Sequence, residues 1–565
     1  MFIQFKNETK SLLQSAVKSA GYAAEDAYLE ESSYADISSS IALNLAPQYK
    51  KLPANIAKEI LQNIQIPDKS YVGRVEVQGA YINFYVNRSF LNQTISSISE
   101  EREEYGSLPK KDKRVILEHT SVNPTGPIHV GRGRNPIIGD TLARALRCAG
   151  YDVDVQYYVN DMGKQIATIV WGYDNIDLNT LPQLERDKPD HDVVRYYRKS
   201  TEAASNPEVE SAIMQLLGEY ESDNPLVIEK FKKVVKRCID GQKQTLERIN
   251  ISFDKYVWES QFVRDGTVHK IIEKLKKTKY ARLKDGALVL DLTHFGLEKD
   301  FVLTRLDGTT LYTTRDIAYH VWKFDNADIM INVLGEDQKL AMDQLKCALE
   351  ILGLERWPQM VFYSFISLPE GRMSTRKGTT VDLDDLLDEA LERAYIEVHK
   401  RRPELSEGEK RRIAEIVGMG AVRFDIIKVA PEKMMTFRWE DALDFEKQGA
   451  PFIQYSHARA CSILDKAKLK KFNPNMLVEP QEIELIKKMA MFPNVVDAVA
   501  HCLKPHILAT YARELAETFN QFYGFVPVLK AEGDLRDARL ALVNCTRIVL
   551  ENTLNLLGIE APKSM

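Results

Sequence analysis

Residues 115–159 read VILEHTSVNPTGPIHVGRGRNPIIGDTLARALRCAGYDVDVQYYV, and they decide which class of fold we expect. The short apolar run 115–117 is typical of a buried strand, and a proline-bearing loop leads from it into an amphipathic helix that ends near Cys148. A second strand is predicted at 153–159. Strand, helix and strand in this order form a βαβ unit, which predicts a parallel sheet with ligands at the carboxyl ends of its strands.

The rest of the chain predicts further domains, because 565 residues exceed what one hydrophobic core usually organises. Residues 1–108 combine a helical pattern with strand-like runs, and the charged stretch 100–114 is our predicted linker. Residues 109–170 hold the βαβ unit, 171–300 predict a mostly helical insertion, and strand-like runs resume at Phe301 and Ile329 within 301–405. Residues 406–565 are almost entirely amphipathic helix. We therefore expect an α/β protein with a split Rossmann-type parallel-sheet catalytic domain, an N-terminal α+β module and a C-terminal all-α helical bundle.

Composition and charge restrict the possible functions. With 44% hydrophobic and 28% charged residues and a net charge of −5, any RNA-binding surface has to be a local patch. Four basic stretches are candidates, and each is also typical of a solvated helix face: 231–237, 274–284, 399–402 and 466–471. The start of the chain lacks a signal-peptide core and we find no run of about 18 apolar residues, so we expect a cytoplasmic protein without membrane contact. The six cysteines form no C-x-x-C pair, which favours reduced thiols and no protein-bound structural metal.

The loop between the first strand and its helix is the candidate phosphate-binding site. A helix N-terminus gathers unpaired N–H groups and partial positive charge, which suits a triphosphate. Gly131 and Gly133 allow close approach of a nucleotide, while His129 and Arg132 can donate hydrogen bonds to a transferring phosphate. Taken alone, the same residues are also consistent with a capped helix start and a packed histidine.

Two separated motifs point to one family. His129 to Arg132 (HVGR) resembles the HIGH motif of class I aminoacyl-tRNA synthetases, and 372–378 (RMSTRKG) resembles their KMSK loop, although by itself it is also an ordinary basic loop. This resemblance implies catalytic roles for His129, Gly131, Arg132 and Lys377, and ATP binding by His129, Gly131, Gly133, Arg372, Met373 and Ser374. Arg132 replaces the second histidine of HIGH, Arg372 replaces the first lysine of KMSK, and Gly126 stands where some relatives carry a lysine.

Three further segments, 158–165, 307–318 and 454–459, resemble the arginyl-tRNA synthetases and above all their archaeal form. A guanidinium group needs carboxylates that its planar set of N–H donors can meet. The family's arginine contacts match Glu118, Asn123, Tyr312 and Asp316. The two carboxylates would hold the guanidinium, the amide would bind the α-amino or carboxylate end, and the tyrosine would stack on the guanidinium. The alternative is that both carboxylates merely pair with Arg134 or Arg315.

The resemblance implies a two-step reaction. The arginine carboxylate attacks the α-phosphate of ATP to give arginyl-adenylate and diphosphate, and the terminal ribose 2′-OH of tRNA then attacks the adenylate. Catalysis rests on positioning and charge stabilisation, with Mg²⁺ expected beside the phosphates. We expect a monomer. Two alternatives stay open: another class I synthetase or related nucleotidyltransferase, and a non-catalytic RNA-binding paralogue suggested by the altered motifs.

Both ends of the chain are predicted to contact tRNA. Tyr81 and Asn83 lie in a segment that resembles the family's N-terminal domain for the tRNA elbow, and an aromatic ring beside an amide suits an unstacked base. Either residue can instead face the core of the module. The C-terminal helices resemble the anticodon-binding bundle, with Tyr455, Tyr523 and Met565 as candidate contacts, although tyrosines at helical spacing are also common in cores.

Overall fold

The N-terminal module is a small antiparallel sheet covered by helices. The computed structural model describes residues 1–23, 26–32, 34–306, 308–367, 381–446 and 448–565. The sheet has the order β1-β2-β4-β3. Its strands are β1 (Leu29–Glu30), β2 (Ile37–Ser39), β3 (Val72–Gln78) and β4 (Tyr81–Val86), and its helices are α1 (Phe2–Ser19), α2 (Ile41–Tyr49), α3 (Pro53–Leu61) and α4 (Arg88–Glu101). Buried aromatic rings such as Phe5, Phe84 and Phe90 fill the core, and the predicted α+β module is confirmed.

A parallel sheet lies at the centre of the chain, as the βαβ unit predicts. The strands of residues 114–367 are β5 (Arg114–Glu118), β6 (Asp152–Val159), β7 (Lys255–Trp258), β8 (Ala281–Lys284), β9 (Ala287–Leu290), β10 (Phe301–Val302), β11 (Ile329–Gly335), β12 (Gln359–Tyr363) and β13 (Ile366–Ser367). Five of them form the parallel sheet in the order β12-β11-β5-β6-β7. The apolar residues 115–117 of β5 are fully buried in the middle of this sheet.

Nine helices described between residues 134 and 351 connect and cover the strands. They are α5 (Arg134–Cys148), α6 (Lys164–Asn175), α7 (Pro189–Ala203), α8 (Pro207–Glu221), α9 (Pro225–Arg248), α10 (Glu259–Arg264), α11 (Thr267–Lys276), α12 (Tyr312–Asn326) and α13 (Lys339–Ile351). The helices α6 to α9 form a separate apolar cluster around Phe231 and Val235. This cluster accounts for the helical character of the predicted insertion.

Two strands differ from the sequence prediction. The strand β7 belongs to the parallel sheet although it lies within 171–300, where the sequence predicts a mostly helical insertion. It was not predicted because four residues form too short an apolar run to be recognised as a strand. The expectation that Phe301 resumes this sheet is wrong. Phe301 pairs antiparallel with Leu290 in a separate three-stranded sheet of the order β10-β9-β8.

The C-terminal part is helical, as predicted. Its helices are α14 (Leu383–Arg401), α15 (Glu407–Ile427), α16 (Trp439–Ala442), α17 (Ala450–Asp465), α18 (Pro480–Ala490), α19 (Phe492–Cys502), α20 (His506–Phe525) and α21 (Gly533–Leu556). The short strand β14 (Met435–Thr436) lies between α15 and α16. The strand β14 pairs with β13 and so ties this part to the region of the parallel sheet. No helix in the described ranges combines the length and apolar character needed to cross a bilayer.

The predicted linker is packed against the helical bundle. Tyr105 is buried, and its hydroxyl donates to the carbonyl of Met489 at 3.1 Å. Asn552 donates to the carbonyls of Arg102 and Tyr105 at 2.8 and 3.0 Å. One buried aromatic residue within a charged stretch therefore fastens this segment of the predicted linker to the bundle.

Candidate active site

The turn that follows β5 is strained. Thr120 and Ser121 have φ angles of 69° and 44°, in the left-handed region that residues with side chains rarely adopt. The Thr120 N–H donates to Asn135 Oδ1 at 2.6 Å. The Ser121 hydroxyl donates to Glu118 Oε1 at 3.0 Å and accepts the Tyr158 N–H at 3.0 Å. Strain of this kind is common at binding sites, and it could not be predicted from the sequence because neither residue is glycine.

The HIGH-like loop makes one tight turn before α5. His129 Nδ1 accepts the N–H of Gly131 at 3.0 Å, and the turn covers Val130–Arg132. Burial, followed by the charge of Arg132, lowers the pKa of His129, so its ring is neutral at pH 7. Because Nδ1 accepts a hydrogen bond, the proton of the neutral ring resides on Nε2 and is free to be donated to a ligand.

The packing of the loop favours glycine at two positions, in addition to the predicted close approach of a nucleotide. A Cβ at Gly131 would lie 3.1 Å from His129 Nδ1, and a Cβ at Gly133 would lie 3.1 Å from the carbonyl oxygen of Val130. Both positions therefore favour glycine even without a nucleotide.

Arg134 is a structural residue. It is fully buried, and its guanidinium donates to five backbone carbonyls, one at Ser364 and four within 429–433. Burial lowers its pKa to about 10. The start of α5 is thus bonded to two segments, one before α14 at Ser364 and one after α15 at 429–433. Arg134 is not the partner of Glu118 that the alternative interpretation required.

A cavity of about 380 Å³ opens beside the HIGH-like loop. Its lining includes Asn123, His129, Arg132, Arg198 and Asp382. Burial raises the pKa of Asp382 to about 6. The cavity combines hydrogen-bond donors, two cations and oxygen atoms that can bind a metal ion. This mixture suits a nucleotide phosphate with its metal ion.

The structure leaves no room for a longer side chain at Gly126. A Cβ there would lie 2.9 Å from Cβ of Val194 on α7. Real Cβ contacts essentially never come this close, so the neighbouring helix would have to shift. The lysine that some relatives carry at this position therefore does not fit the backbone of this chain.

A chain of hydrogen bonds leads from the carboxylate of Glu118 to the backbone carbonyl of Asp316 at the start of α12. Lys323, fully buried on α12, donates to Glu118 Oε2 at 2.6 Å and to Asn332 Oδ1 at 3.0 Å. The Asn332 amide donates to His320 Nε2 at 2.8 Å. His320 Nδ1 donates to the backbone carbonyl of Asp316 at 2.8 Å and lies 3.1 Å from Asp316 Oδ1. Sequence analysis missed these three connecting residues. The spacing of 316, 320 and 323 on one helix face was a signal that places His320 and Lys323 beside Asp316, whereas no local signal marks Asn332 on β11 or the contact with Glu118.

The alternative interpretation, in which Glu118 and Asp316 pair with Arg134 or Arg315, is wrong because these groups have other partners. Glu118 is paired with Lys323, while Arg315 is 3.0 Å from the buried carboxylate of Glu259. Asp316 keeps its side chain 27% exposed at the start of α12. One carboxylate is therefore held rigidly, and the other is accessible to a ligand.

The remaining predicted arginine contacts are exposed. Tyr312 is the first residue of α12 and is 59% exposed. Asn123 lies on the strained loop, and its amide is 3.5 Å from Gln165 Oε1. Arg372, Met373, Ser374 and Lys377 lie in 368–380, outside the described residues.

One group of side chains in the described part of the chain has the composition of a metal site. Asp190, His191 and Asp384 place potential ligand atoms within 4.8 Å of one another. The ammonium group of Lys188 lies 2.5 Å from Asp384 and 3.4 Å from Asp190. Because this cation already neutralises the carboxylates, the group is best described as an ion-pair cluster that joins α7 to α14.

The predicted tRNA contacts of the N-terminal module separate into two kinds. Tyr81 is 44% exposed at the start of β4. Asn83 is buried, and Ser38 donates to its Oδ1 at 2.6 Å. Ser38 occupies the amide oxygen of Asn83, and the contact of this residue with RNA stays a prediction.

Two of the three C-terminal candidates, Tyr455 and Tyr523, lie around one arginine. The guanidinium of Arg459 lies 4.8 Å from the ring centre of Tyr455 and 5.5 Å from that of Tyr523. Both tyrosines are partly exposed, at 44% and 39%. Met565 is half-buried at the end of the chain, and its carbonyl accepts a hydrogen bond from Arg402. The sequence did not single out Arg459 itself.

Comparisons with known protein families cover nearly the whole chain. A family model described as "tRNA synthetases class I (R), catalytic domain" matches residues 94–439. The model "Arginyl tRNA synthetase N terminal domain" matches 7–86, and "DALR anticodon binding domain" matches 453–565.

Individual relatives agree with these matches. The arginine–tRNA ligase of Methanocella arvoryzae is 57% identical over the full length of both chains, and that of Methanosarcina barkeri is 50% identical over the full length of both. The solved structure of Thermus thermophilus arginyl-tRNA synthetase is 29% identical, with a TM-score of 0.84 over 99% of this chain and 100% of that one. The Plasmodium falciparum enzyme, at 17% identity and a TM-score of 0.80 over 100% and 99% of the two chains, shares the fold.

Proposed function

The chain belongs to the arginyl-tRNA synthetase family and is an arginine–tRNA ligase, and from this premise we propose which residues carry its reaction. The enzyme activates L-arginine with ATP to arginyl-adenylate and transfers it to the 3′-terminal ribose of its tRNA. The observation that carries the proposal is the hydrogen-bonded chain between Glu118 and Asp316 at the carboxyl edge of the parallel sheet. It holds the carboxylate of Glu118 and the start of α12, which carries the accessible carboxylate of Asp316, where ligands bind in folds of this class.

The arginine side chain binds between these carboxylates. Asp316 is accessible and meets the guanidinium directly, in the bidentate geometry that carboxylates offer. Glu118, held by Lys323 and Ser121, supplies a second, fixed negative charge. Tyr312 covers the guanidinium from the entrance, and Asn123 binds the α-amino or carboxylate end.

ATP binds along the HIGH-like loop. His129 donates from Nε2 to a phosphate oxygen, Arg132 supplies positive charge from the same turn, and Gly131 and Gly133 keep the backbone close. Arg372, Met373, Ser374 and Lys377 complete the site by resemblance to the KMSK loop.

Mg²⁺ that accompanies ATP fits the adjacent cavity. The carboxylate of Asp382 and the amide of Asn123 offer oxygen ligands there, the type that Mg²⁺ prefers. The ion would reduce the charge repulsion between the phosphates and the attacking carboxylate.

The reaction then requires positioning more than covalent chemistry. The arginine carboxylate is held in line with the α-phosphate, diphosphate leaves, and the 2′-OH of the tRNA attacks the mixed anhydride. His129, as a neutral hydrogen-bond donor, stabilises charge that develops on the phosphate without giving up its proton.

Transfer RNA contacts the two ends of the chain. Tyr81 on the N-terminal module (1–108) is accessible for stacking on a base of the tRNA elbow. In the bundle (406–565), Tyr455, Arg459 and Tyr523 form a surface of two aromatic rings and one cation that suits unpaired anticodon bases, and Met565 at the end of the chain is a further proposed contact. We propose further that the enzyme acts as a cytoplasmic monomer.

The arginine pocket is tested by two substitutions and a control. Asp316→Asn removes the accessible charge and should raise KM for arginine about 10- to 100-fold, as expected for loss of a charge-assisted hydrogen bond. Glu118→Gln should raise it less, because both Glu118 oxygens already accept hydrogen bonds within the protein. Asp325→Asn, an exposed residue of the same helix, is the control and should leave KM unchanged. Equal KM values for all four proteins would refute the assignment.

A further inference from the structure

The side chain of Tyr158 is held firmly at the end of β6. Its backbone N–H donates to the Ser121 hydroxyl of the strained turn at 3.0 Å. Its ring stacks on that of Tyr319, with 4.5 Å between centroids and 14° between planes. Because both ends of the residue are fixed, the phenol hydroxyl has a defined direction.

The hydroxyl of Tyr158 is buried and has no hydrogen-bond partner in the described structure. The neighbouring tyrosines differ in this respect. The Tyr157 hydroxyl donates to the Val122 carbonyl at 2.8 Å, and the Tyr319 hydroxyl donates to Gln156 Oε1 at 2.9 Å. An unpaired buried hydroxyl costs free energy, so it calls for a partner that is present when the protein works.

The surroundings of this hydroxyl are acidic. Burial first, and then the carboxylates of Glu259, Asp316 and Glu118, raise the pKa of Tyr158 well above its ordinary value. The phenol therefore stays protonated at neutral pH. Glu259 is paired with Arg315 and Glu118 with Lys323, so Asp316 is the carboxylate of the three that is most available to a ligand.

We propose that the Tyr158 hydroxyl is a specificity-determining contact that accepts a hydrogen bond from the guanidinium of the bound arginine. The inference rests on the arginine pocket proposed above. A guanidinium presents five N–H donors in one plane, more than the two oxygens of Asp316 can accept. The ring of Tyr158 stacks on Tyr319, which lies one helical turn after Asp316 on α12, and this places a neutral oxygen on the same side of the pocket to accept a further donor. The compact ammonium group of lysine cannot reach both acceptors in the same way.

Tyr158→Phe tests the proposal, because it removes one oxygen and keeps the stack on Tyr319. Aminoacylation is measured with saturating ATP and tRNA while arginine is varied. We expect KM for arginine to rise about 10- to 100-fold, the loss associated with one hydrogen bond to a charged group, and kcat to change less than threefold. The melting temperature without ligands should stay the same or rise, since an unpaired hydroxyl has been removed.

Tyr319→Phe is the matched control. It removes a hydroxyl from the partner ring of the same stack, but one that is bonded inside the protein. Its KM for arginine should remain within about twofold of the wild-type value, because one internal hydrogen bond acts on stability more than on the ligand.

Asp316→Asn, measured in parallel, distinguishes a failure of the Tyr158 contact from a failure of the arginine pocket. A raised KM for Asp316→Asn with an unchanged KM for Tyr158→Phe would overturn the inference and leave the pocket in place. Unchanged KM values for both would refute the pocket itself. A Tyr158→Phe enzyme with lowered kcat and normal KM would also overturn the inference, because it would assign the hydroxyl to the chemical step.

Discussion

Lys323→Met should destabilise the catalytic region strongly. Lys323 is fully buried, and the Glu118 side chain that it contacts at 2.6 Å is only 9% exposed. Methionine fills a similar volume but leaves the carboxylate of Glu118 buried without its counter-charge. Removing one partner of a buried pair costs about 3–5 kcal/mol, because the other charge remains desolvated.

This free energy corresponds to a clear thermal shift. For a domain of 150–250 residues, 1 kcal/mol moves the melting temperature by about 2–4 °C, so we expect a fall on the order of 6–20 °C. The double variant Lys323→Met/Glu118→Gln removes both charges and should recover at least half of this loss. Non-additivity of that kind identifies a direct interaction.

Scanning calorimetry at pH 7.5 on the full chain provides the measurement. The control is Lys113→Met, which breaks an exposed pair with Asp328, where the two side chains are 57% and 43% exposed, and which should shift the melting temperature by no more than about 2 °C. If Lys323→Met melts within 2 °C of the wild type, or if the double variant is no more stable than the single one, the pair does not hold Glu118 as described.

Three further predictions concern pH, packing and the motif loop. Burial lowers the pKa of His119 to about 4 from 6.5, so the unfolded state binds more protons between these values; stability should fall by up to about 3 kcal/mol as pH drops from 6.5 to 4, and a His119→Asn variant should show a smaller fall in melting temperature over this window. Gly126→Ala should lower the melting temperature by several degrees, because its Cβ would lie 2.9 Å from Val194 Cβ on the neighbouring helix; a melting temperature equal to that of the wild type would contradict the clash. Lys377→Ala should slow adenylate formation at least about tenfold in single-turnover measurements, and an unchanged rate would remove Lys377 from the site.

The fold was predictable because its signals are local. The apolar strand at 115–117, the following helix and the strand at 153–159 lie next to one another in the chain, and their order implies a parallel sheet. The strand β7 was missed because Tyr256 and Val257 stand in charged sequence, and its place in the sheet is set by pairing with β6 rather than by its own composition.

The candidate site was predictable only in part. Glu118 and Asp316 follow from the resemblance, and the structure joins them. Their connection through Lys323 depends on contacts between residues 205 positions apart, which no local pattern reveals. For Asn83 a local pattern is available but incomplete. Alternation along β4 places its side chain on the same face as Tyr81, and only the pairing with strand β2 makes it buried. The strained turn at Thr120 is likewise imposed by tertiary hydrogen bonds and not by residue type.

We propose that this crevice activates arginine and no other amino acid, although Arg132 stands in the HIGH-like motif. The most direct test is aminoacylation of an arginine tRNA transcript with each radiolabelled amino acid in turn, in the presence of ATP and Mg²⁺. We predict that arginine alone is attached to the tRNA, and that Asp316→Asn loses this charging at low arginine concentration. Tight binding of the tRNA without charging by any amino acid would contradict the account and would favour a protein that only binds RNA.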